Sequence, residues 1–274
     1  MLRDLLVHVS RAEQSRSRVQ FAVELAICTG ARLSGIYVTP PIEVPPVYKP
    51  SMVEEVAADL SSKSILNAQM TAAMFREETI PRLDNACWFE ADGDIVKNIS
   101  NRARYADLVI LGQHEWQGSA ERHPLSIAQL VVMHSGRPIL VVPHGVQSSS
   151  LATIAVAWDG SRESVRALHD ALPLLRLAES VQILMMGASS AQDSELDAKY
   201  LSEHLAQHEI VSRTDVIQIR TSKKHDSLRR QIDRDRYDLL VMGGYSHPMW
   251  LEFIFGGVTQ SILATSNIPV LVSH

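Results

Sequence analysis

Asp159 and the glycine pair Gly256 and Gly257 are the residues whose types and positions point most clearly to chemistry. Asp159 follows the apolar run Ile154–Trp158, where a carboxylate can accept hydrogen bonds from a ribose hydroxyl or an adenine amine. The two glycines stand just before Thr259, at the predicted start of a helix. Adjacent glycines let the backbone approach a ligand closely, and the free N–H groups of a helix start attract anions. These positions predict a site for a phosphorylated ligand.

Further candidates surround these residues. Gly243 and Ser246 follow the apolar run Leu239–Met242. The methionines near the predicted cleft, Met185, Met186 and Met242, are able to contact an adenine, although core packing is the commoner role of methionine. Asp159-Gly160-Ser161 also has a plain structural interpretation as a turn and helix cap, and a Gly-Gly pair is often only a tight turn. The predicted nucleotide-binding set comprises Trp158, Asp159, Met186, Met242, Gly243, Ser246, Gly256, Gly257, Val258 and Thr259.

An internal repeat decides which elements carry these residues. The segments Ala106–Gly112 and Tyr237–Gly243 are near copies, ADLVILG against YDLLVMG, at an offset of 131 (238 − 107). The same offset relates Arg137–Val141 to Ile268–Val272. An offset kept over some thirty residues without an insertion indicates a duplication.

The starts of the two copies are also related, but at a larger offset. Leu5–Ser10 corresponds to Ile154–Asp159 at an offset of 149, so the first copy is longer by 149 − 131 = 18 residues. We expect much of this surplus around the proline-rich stretch Pro40–Pro50, which can continue neither a helix nor a central strand. The predicted domains are residues 1–144 and 153–274, joined by a linker over 145–152.

Each copy alternates short apolar runs with stretches of helical period, which is typical of a parallel α/β sheet. A helix is predicted over Ser161–Leu175, with Val165, Leu168, Leu172 and Leu175 on one face. If the first and fourth strands are neighbours, the turns after both open into one cleft. The predicted strands are Leu5–Val9, Arg32–Val38, Ala86–Glu90, Leu108–Leu111, Ile139–Val142, Ile154–Trp158, Val181–Met186, Asp215–Arg220, Leu239–Met242 and Val270–Val272.

The second copy resembles the universal stress protein family. ATP-binding members carry Gly, two residues, Gly, nine residues, Gly and then Ser or Thr after the fourth strand, and an Asp after the first. Gly243, Gly256 and Asp159 match this pattern, whereas Ser246 replaces the second glycine and Gly257 replaces the Ser or Thr. The resemblance covers nearly the whole chain, twice.

The resemblance implies two tandem copies of a five-stranded, doubly wound, adenine nucleotide alpha hydrolase-like fold. It further implies a pseudo-dimer, which we expect to form through the last strands Ile139–Val142 and Val270–Val272. The first copy has lost the motif, because Ser10 stands at the aspartate position and Leu125 and Ser126 replace the glycine pair. No nucleotide is therefore expected in the first copy.

The resemblance also implies a stress-response protein that binds ATP or AMP, with or without Mg²⁺, in the second copy. At most slow ATP hydrolysis is expected, because no positioned lysine, second carboxylate or evident metal cage completes a phosphoryl-transfer site. Neither a Walker A motif nor Gly-x-Gly-x-x-Gly occurs. The alternative is an interaction or scaffold module of the same fold without nucleotide, acting on an unknown protein partner. A homodimer of tandem chains stays open.

Composition narrows the remaining classes of function. A net charge of −5 and a pI near 6.1 do not favour nucleic acid or anionic lipid as a partner. No run is apolar enough for a membrane span, and the start lacks a signal-peptide core, so a cytoplasmic protein is expected. His204 and His208 share a helical face, but no third metal ligand is marked by spacing, so no metal site is predicted.

A hydrolase interpretation rests on Gly244–Pro248, which resembles a Gly-x-Ser-x-Gly elbow with Ser246 as nucleophile. Its final glycine is replaced by Pro248, and a triad would need Glu252 and the terminal His274. The sequence therefore favours a binding protein over an esterase.

Overall fold

The chain forms two compact units, residues 2–135 and 136–274. Their structure is taken from a computed structural model. It describes residues 1–42, 50–113, 126–146, 150–186, 191–217, 224–244 and 258–274.

The unit of residues 2–135 is a parallel sheet with helices between its strands, in the strand order β3-β2-β1-β4. Strands β1 and β4 are almost wholly buried, as their continuous apolar runs predict. The edge strand β3 is more exposed and more polar. In chain order the elements are β1 (Asp4–His8), α1 (Ala12–Thr29), β2 (Arg32–Thr39), a short 3₁₀ helix (Pro50–Met52), α2 (Val53–Thr79), β3 (Ala86–Asp92), α3 (Ile95–Ala103), β4 (Leu108–Gly112) and α4 (Ile127–Ser135).

The unit of residues 136–274 has the strand order β5-β10-β9-β6-β7-β8. All its strands run parallel except β5, which pairs antiparallel with β10 so that Leu140 faces Leu271. Its elements are β5 (Ile139–Val142), β6 (Thr153–Trp158), α5 (Arg162–Leu175), β7 (Ser180–Met186), α6 (Ala191–Gln207), β8 (Ser212–Ile217), α7 (Lys224–Asp235), β9 (Leu239–Gly243), α8 (Val258–Thr265) and β10 (Val270–Ser273).

The predicted tandem α/β fold is confirmed, and so is the pairing of the last strands of the two copies, β5 with β10. One strand was misplaced. The prediction put it at Asp215–Arg220, whereas β8 covers Ser212–Ile217 and pairs with β7 from Val181 onward. Residues 218–220 lie outside the described residues. Pairing with β7, rather than hydrophobicity, sets the start of this polar edge strand.

The surplus of the first copy lies partly in a helix. Helix α2 has 27 residues, whereas its counterpart α6 has 17. Part of the surplus that was expected around Pro40–Pro50 therefore lies in α2 instead. Residues 43–49 of the proline-rich stretch lie outside the described part of the chain. Because α2 is buried only from Thr71 onward, its first half adds length without adding core.

The predicted buried face of α5 was partly wrong. Val165 is 40% exposed, and the residues that face the sheet include Ala167, Leu168, Ala171 and Leu174. Helix α5 packs on β9 and β10, where the small alanines allow a close approach. A prediction based only on large apolar residues therefore identifies the wrong buried face for a helix that packs through alanines.

Candidate functional site

The carboxyl ends of β6 and β9 lie side by side. The two strands are parallel neighbours, with Ala157 opposite Met242, so Asp159, directly after β6, and Gly243, the last residue of β9, lie at the same edge of the sheet. Strand β7 borders β6 on its other side, with Trp158 opposite Met185. The predicted adjacency of the first and fourth strands is thus confirmed for the second copy, and it forms the framework of the candidate site.

Asp159 and Ser161 build the turn that leads into α5. Asp159 is exposed, and its Oδ1 accepts hydrogen bonds from the Ser161 backbone N–H at 3.0 Å and the Ser161 hydroxyl at 2.6 Å. Ser161 Oγ in turn accepts from the Ser164 N–H at 3.2 Å and caps the helix, while Gly160 takes the left-handed conformation at φ 72°. The structural interpretation of this segment is therefore correct. It leaves Asp159 Oδ2 without a hydrogen bond from the described residues.

Gly243 is a glycine because α5 comes very close. A Cβ on Gly243 would lie 2.5 Å from the Ser164 nitrogen and 2.6 Å from the Glu163 carbonyl carbon, both backbone atoms. No side chain fits this gap, since real Cβ contacts essentially never fall below 3.0 Å. The first glycine of the binding motif therefore serves helix packing at this position.

Gly244 and Thr259 connect the end of β9 with the start of α8 through direct packing. The Gly244 N–H donates to the Ser273 carbonyl at 2.9 Å, and a Cβ on Gly244 would lie 3.5 Å from Thr259 Cγ2. Thr259 is buried in the first turn of α8, and Val258 before it is half-buried. Thr259 therefore lies beside the turn after β9.

The other predicted residues divide by burial. Met242 is 3% exposed in the core, whereas Met186, at the end of β7, is half-buried. Trp158 is also half-buried, and its indole Nε1 is shielded from solvent with no hydrogen-bond partner among the described residues. Ser246, Gly256 and Gly257 lie outside the described residues, and their part in the site stays a prediction.

Glu163 is a neighbour of the site that the sequence analysis did not single out. It is buried in the first turn of α5, its Cβ region lies against Gly243, and its Oε1 accepts from Arg162 Nε at 3.3 Å. The signal available in the sequence was an acidic residue in the first turn after the Ser161 cap. Glu163 places a second carboxylate near the turn that holds Asp159.

The corresponding region of the first copy is occupied by its own side chains. Ser10 is buried, its N–H donates to Ser15 Oγ at 3.1 Å, and Asn67 donates to the Ser10 carbonyl at 2.9 Å. Arg18, 3% exposed, donates to the same Ser15 Oγ at 2.7 Å. At the 149-residue offset Arg18 corresponds to Ala167, so a buried guanidinium stands where the second copy has a methyl group.

The serine of the hydrolase interpretation cannot be placed. Ser246, Pro248 and Glu252 lie outside the described residues, whereas His274 Nδ1 lies 3.1 Å from the Gly244 carbonyl oxygen. That interpretation stays a prediction.

None of the described helices is both long enough and apolar enough to cross a membrane.

Comparison with known proteins identifies the family. The sequence profile of the universal stress protein family matches the chain twice, over residues 1–143 and 151–274. The chain therefore belongs to the universal stress protein family and carries two tandem copies of its domain.

One curated relative is the universal stress protein Slr1230 of Synechocystis sp. (strain ATCC 27184 / PCC 6803 / Kazusa). It is 22% identical over 166 residues, which cover 60% of this chain and 57% of the relative. The chain thus matches little more than half of that relative's length.

Two solved structures share the fold over nearly the whole chain. A universal stress protein from Archaeoglobus fulgidus DSM 4304 has a TM-score of 0.70 at 16% identity, with 98% of this chain and 95% of that chain covered. A putative universal stress protein from Pseudomonas aeruginosa UCBPP-PA14 has a TM-score of 0.55 at 13% identity, covering 99% and 93%. At these identities the likeness concerns the fold alone.

Proposed function

We propose that the second copy binds an adenine nucleotide, ATP or AMP, in the cleft after β6 and β9, with little or no catalysis. The observation that supports this most directly is the parallel pairing of β6 with β9. It brings Asp159, directly after β6, beside Gly243 at the end of β9, and Thr259 in the first turn of α8 lies close to Gly244. A nucleotide needs a polar partner for its ribose or base and another for its phosphate, and Asp159 and the start of α8 are proposed to provide them.

The roles follow from the chemistry of each group. Asp159 Oδ2 accepts from a ribose hydroxyl or the adenine amine, while Oδ1 keeps the carboxylate oriented through Ser161. The N–H groups at the start of α8, with the Thr259 hydroxyl, bind phosphate. Trp158 and Met186 offer half-buried apolar surface to the base. The predicted phosphate contacts of Gly256 and Gly257 complete the proposed site.

In the first copy we propose a scaffold without nucleotide. The buried set of Ser10, Ser15 and Arg18 supports this, because a ligand would have to displace a guanidinium that donates to Ser15. Displacing a buried, hydrogen-bonded charge costs several kcal/mol in general. The proposed stoichiometry is one nucleotide per chain.

Calorimetric titration of the full chain with ATP and with AMP, each with and without Mg²⁺, tests the proposal. We expect one site per chain and a loss of affinity of about tenfold in Asp159→Asn, which corresponds to about 1.4 kcal/mol. Asparagine keeps an oxygen for the Ser161 bonds but removes the charge and replaces one acceptor with a donor.

Ser10→Ala is the matched control, since Ser10 occupies the aspartate position of the first copy. It should leave the affinity unchanged. A folded chain that gives no heat at millimolar nucleotide would refute nucleotide binding and favour the alternative, an interaction module of the same fold. Release of inorganic phosphate, measured on the same samples, separates binding from hydrolysis.

A further inference from the structure

Three histidines form a cluster between α5 and α6. The ring centroids of His169 and His204 are 5.1 Å apart with planes at 53°, and those of His204 and His208 are 4.9 Å apart with planes at 72°. His169 comes from α5, whereas His204 and His208 belong to α6 and the turn directly after it. We name these three side chains the histidine cluster. It belongs to a helix contact that the proposed function does not use.

The hydrogen bond from Arg176 fixes the protonation of His208. Arg176 Nη2 lies 3.3 Å from His208 Nδ1, and Arg176 Nε donates to the His208 carbonyl at 3.1 Å. A guanidinium only donates, so His208 Nδ1 must be the acceptor and the ring is neutral. A proton on Nδ1 would break this bond and set two cations against each other.

His204 lies between the other two rings of the cluster. Its Nε2 is shielded from solvent and has no hydrogen-bond partner among the described residues, and the other two rings of the cluster contact it. A neutral His208 ring suits this contact, because a proton on its Nδ1 would break the bond to Arg176.

The surrounding charges do not compensate. Desolvation is the largest cause that lowers the pKa of His208, and the basic groups His204, Arg176 and His169 lower it further. The nearby carboxylates on the two helices have partners of their own, since Asp170 pairs with Arg166 at 3.1 Å and Glu203 with Lys199 at 3.9 Å. Strand β8 also packs against α6, and its Arg213 is a further cation.

We propose that the histidine cluster is an acid-sensitive contact, which holds α6 against α5 at neutral pH and releases it as the rings become protonated. Because folding lowers the pKa of His208, the unfolded chain binds more protons in the acid range, and stability rises with pH. The contribution is complete above the ordinary histidine pKa of about 6.5 and is lost as the pH falls below it.

The test compares the full chain with His208→Gln and with the triple variant His169→Gln, His204→Gln, His208→Gln. Urea unfolding at pH 7.5 and pH 5.5, in EDTA, should show the unfolding constant of the wild type rising with acid by about tenfold more than that of the triple variant. Glutamine keeps polar size without titrating. His134→Gln is the matched control, because His134 is an exposed histidine of α4 outside the cluster, and it should retain the wild-type pH dependence.

Hydrogen exchange locates the effect without depending on a variant. We expect the amides of α6 to lose protection between pH 7.5 and pH 5.5, after correction for intrinsic exchange, while those of α4 keep theirs. NMR titration should place the pKa of His208 below the ordinary histidine value. Equal acid dependence in the wild type and the triple variant, or a His208 that titrates at or above that value, would overturn the proposal.

Discussion

At the scale of single residues, the glycine of the repeated motif serves helix packing, and its aspartate binds backbone N–H groups at the start of a neighbouring strand. Gly243 fits against the first turn of α5, and the aspartates Asp107 and Asp238 hold the starts of β1 and β6. Asp107 Oδ2 accepts from the N–H groups of Arg3 and Asp4 at 2.7 and 3.0 Å. Asp238 Oδ2 accepts from the Thr153 N–H at 2.9 Å. These roles explain why YDLLVMG resembles ADLVILG even though only one copy keeps a nucleotide motif.

Gly243→Ala should destabilise the protein by about 1–3 kcal/mol, because its Cβ would meet backbone atoms of Glu163 and Ser164 that cannot rotate away. Urea unfolding measures this cost. Gly160→Ala is the comparison: it has open space around its Cβ, so only its left-handed φ of 72° resists the change, at about 1 kcal/mol. A Gly243→Ala variant as stable as the wild type would contradict the packing role.

Asp107→Ala and Asp238→Ala should each cost about 1–3 kcal/mol, since each leaves strand N–H groups without their charged acceptor. The same denaturation experiment measures both. Asp59→Ala is the control, because its salt bridge to Lys63 is exposed and such pairs contribute at most about 1 kcal/mol. If all three variants lose the same stability, the aspartates have no special capping role.

At the scale of elements, the start of α5 links stability to the candidate site. Ser161 Oγ caps the helix by accepting from the Ser164 N–H, and the same hydroxyl donates to Asp159. The sequence Asp-Gly-Ser allowed either a cap or a ligand site. In the structure the capping serine also holds the Asp159 carboxylate in place.

Ser161→Ala should lower stability by about 1 kcal/mol through loss of the cap, and it should also weaken any nucleotide binding by freeing the Asp159 carboxylate. Thermal unfolding and calorimetric titration measure the two effects. Ser161→Thr preserves the hydroxyl and should restore most of both. Ser62→Ala, on the exposed face of α2, should change neither, and an equal loss there would remove the capping explanation.

At the scale of the whole molecule, the units and the repeats have different boundaries. The family matches end at residue 143 and begin again at 151, whereas the compact unit begins at 136. The difference is β5, which belongs to the first repeat in sequence but pairs with β10 within the unit of residues 136–274. Without β5, strand β10 would expose an apolar edge.

A fragment of residues 136–274 should therefore have a higher melting temperature and associate less than a fragment of residues 151–274. Thermal unfolding and size-exclusion chromatography compare the two. In the longer fragment, Leu140→Asp places a charge opposite Leu271 and should reproduce the behaviour of the shorter one. Equal melting temperatures and monomeric behaviour of both fragments would show that β5 does not support this unit.

Much of this protein follows from local sequence. The repeat, the alternation of apolar runs with helical stretches and the matching residues Asp159, Gly243 and Gly256 were enough to predict two tandem copies of one α/β fold and its family. Short-range patterns determine these features, because strand burial and helix amphipathicity recur within a few residues.

Other features depended on contacts between residues far apart in the chain. The buried face of α5 is set by the close packing of Ala167 and Ala171. The first residue of β8 is set by its pairing with β7. The burial of Arg18 in the first copy likewise depends on tertiary packing. The histidine cluster likewise needed His169 from another helix. Residue types mark where a chain can turn, bury or bind, but which atoms meet is decided by packing in three dimensions, since that packing joins segments whose spacing in sequence carries no signal.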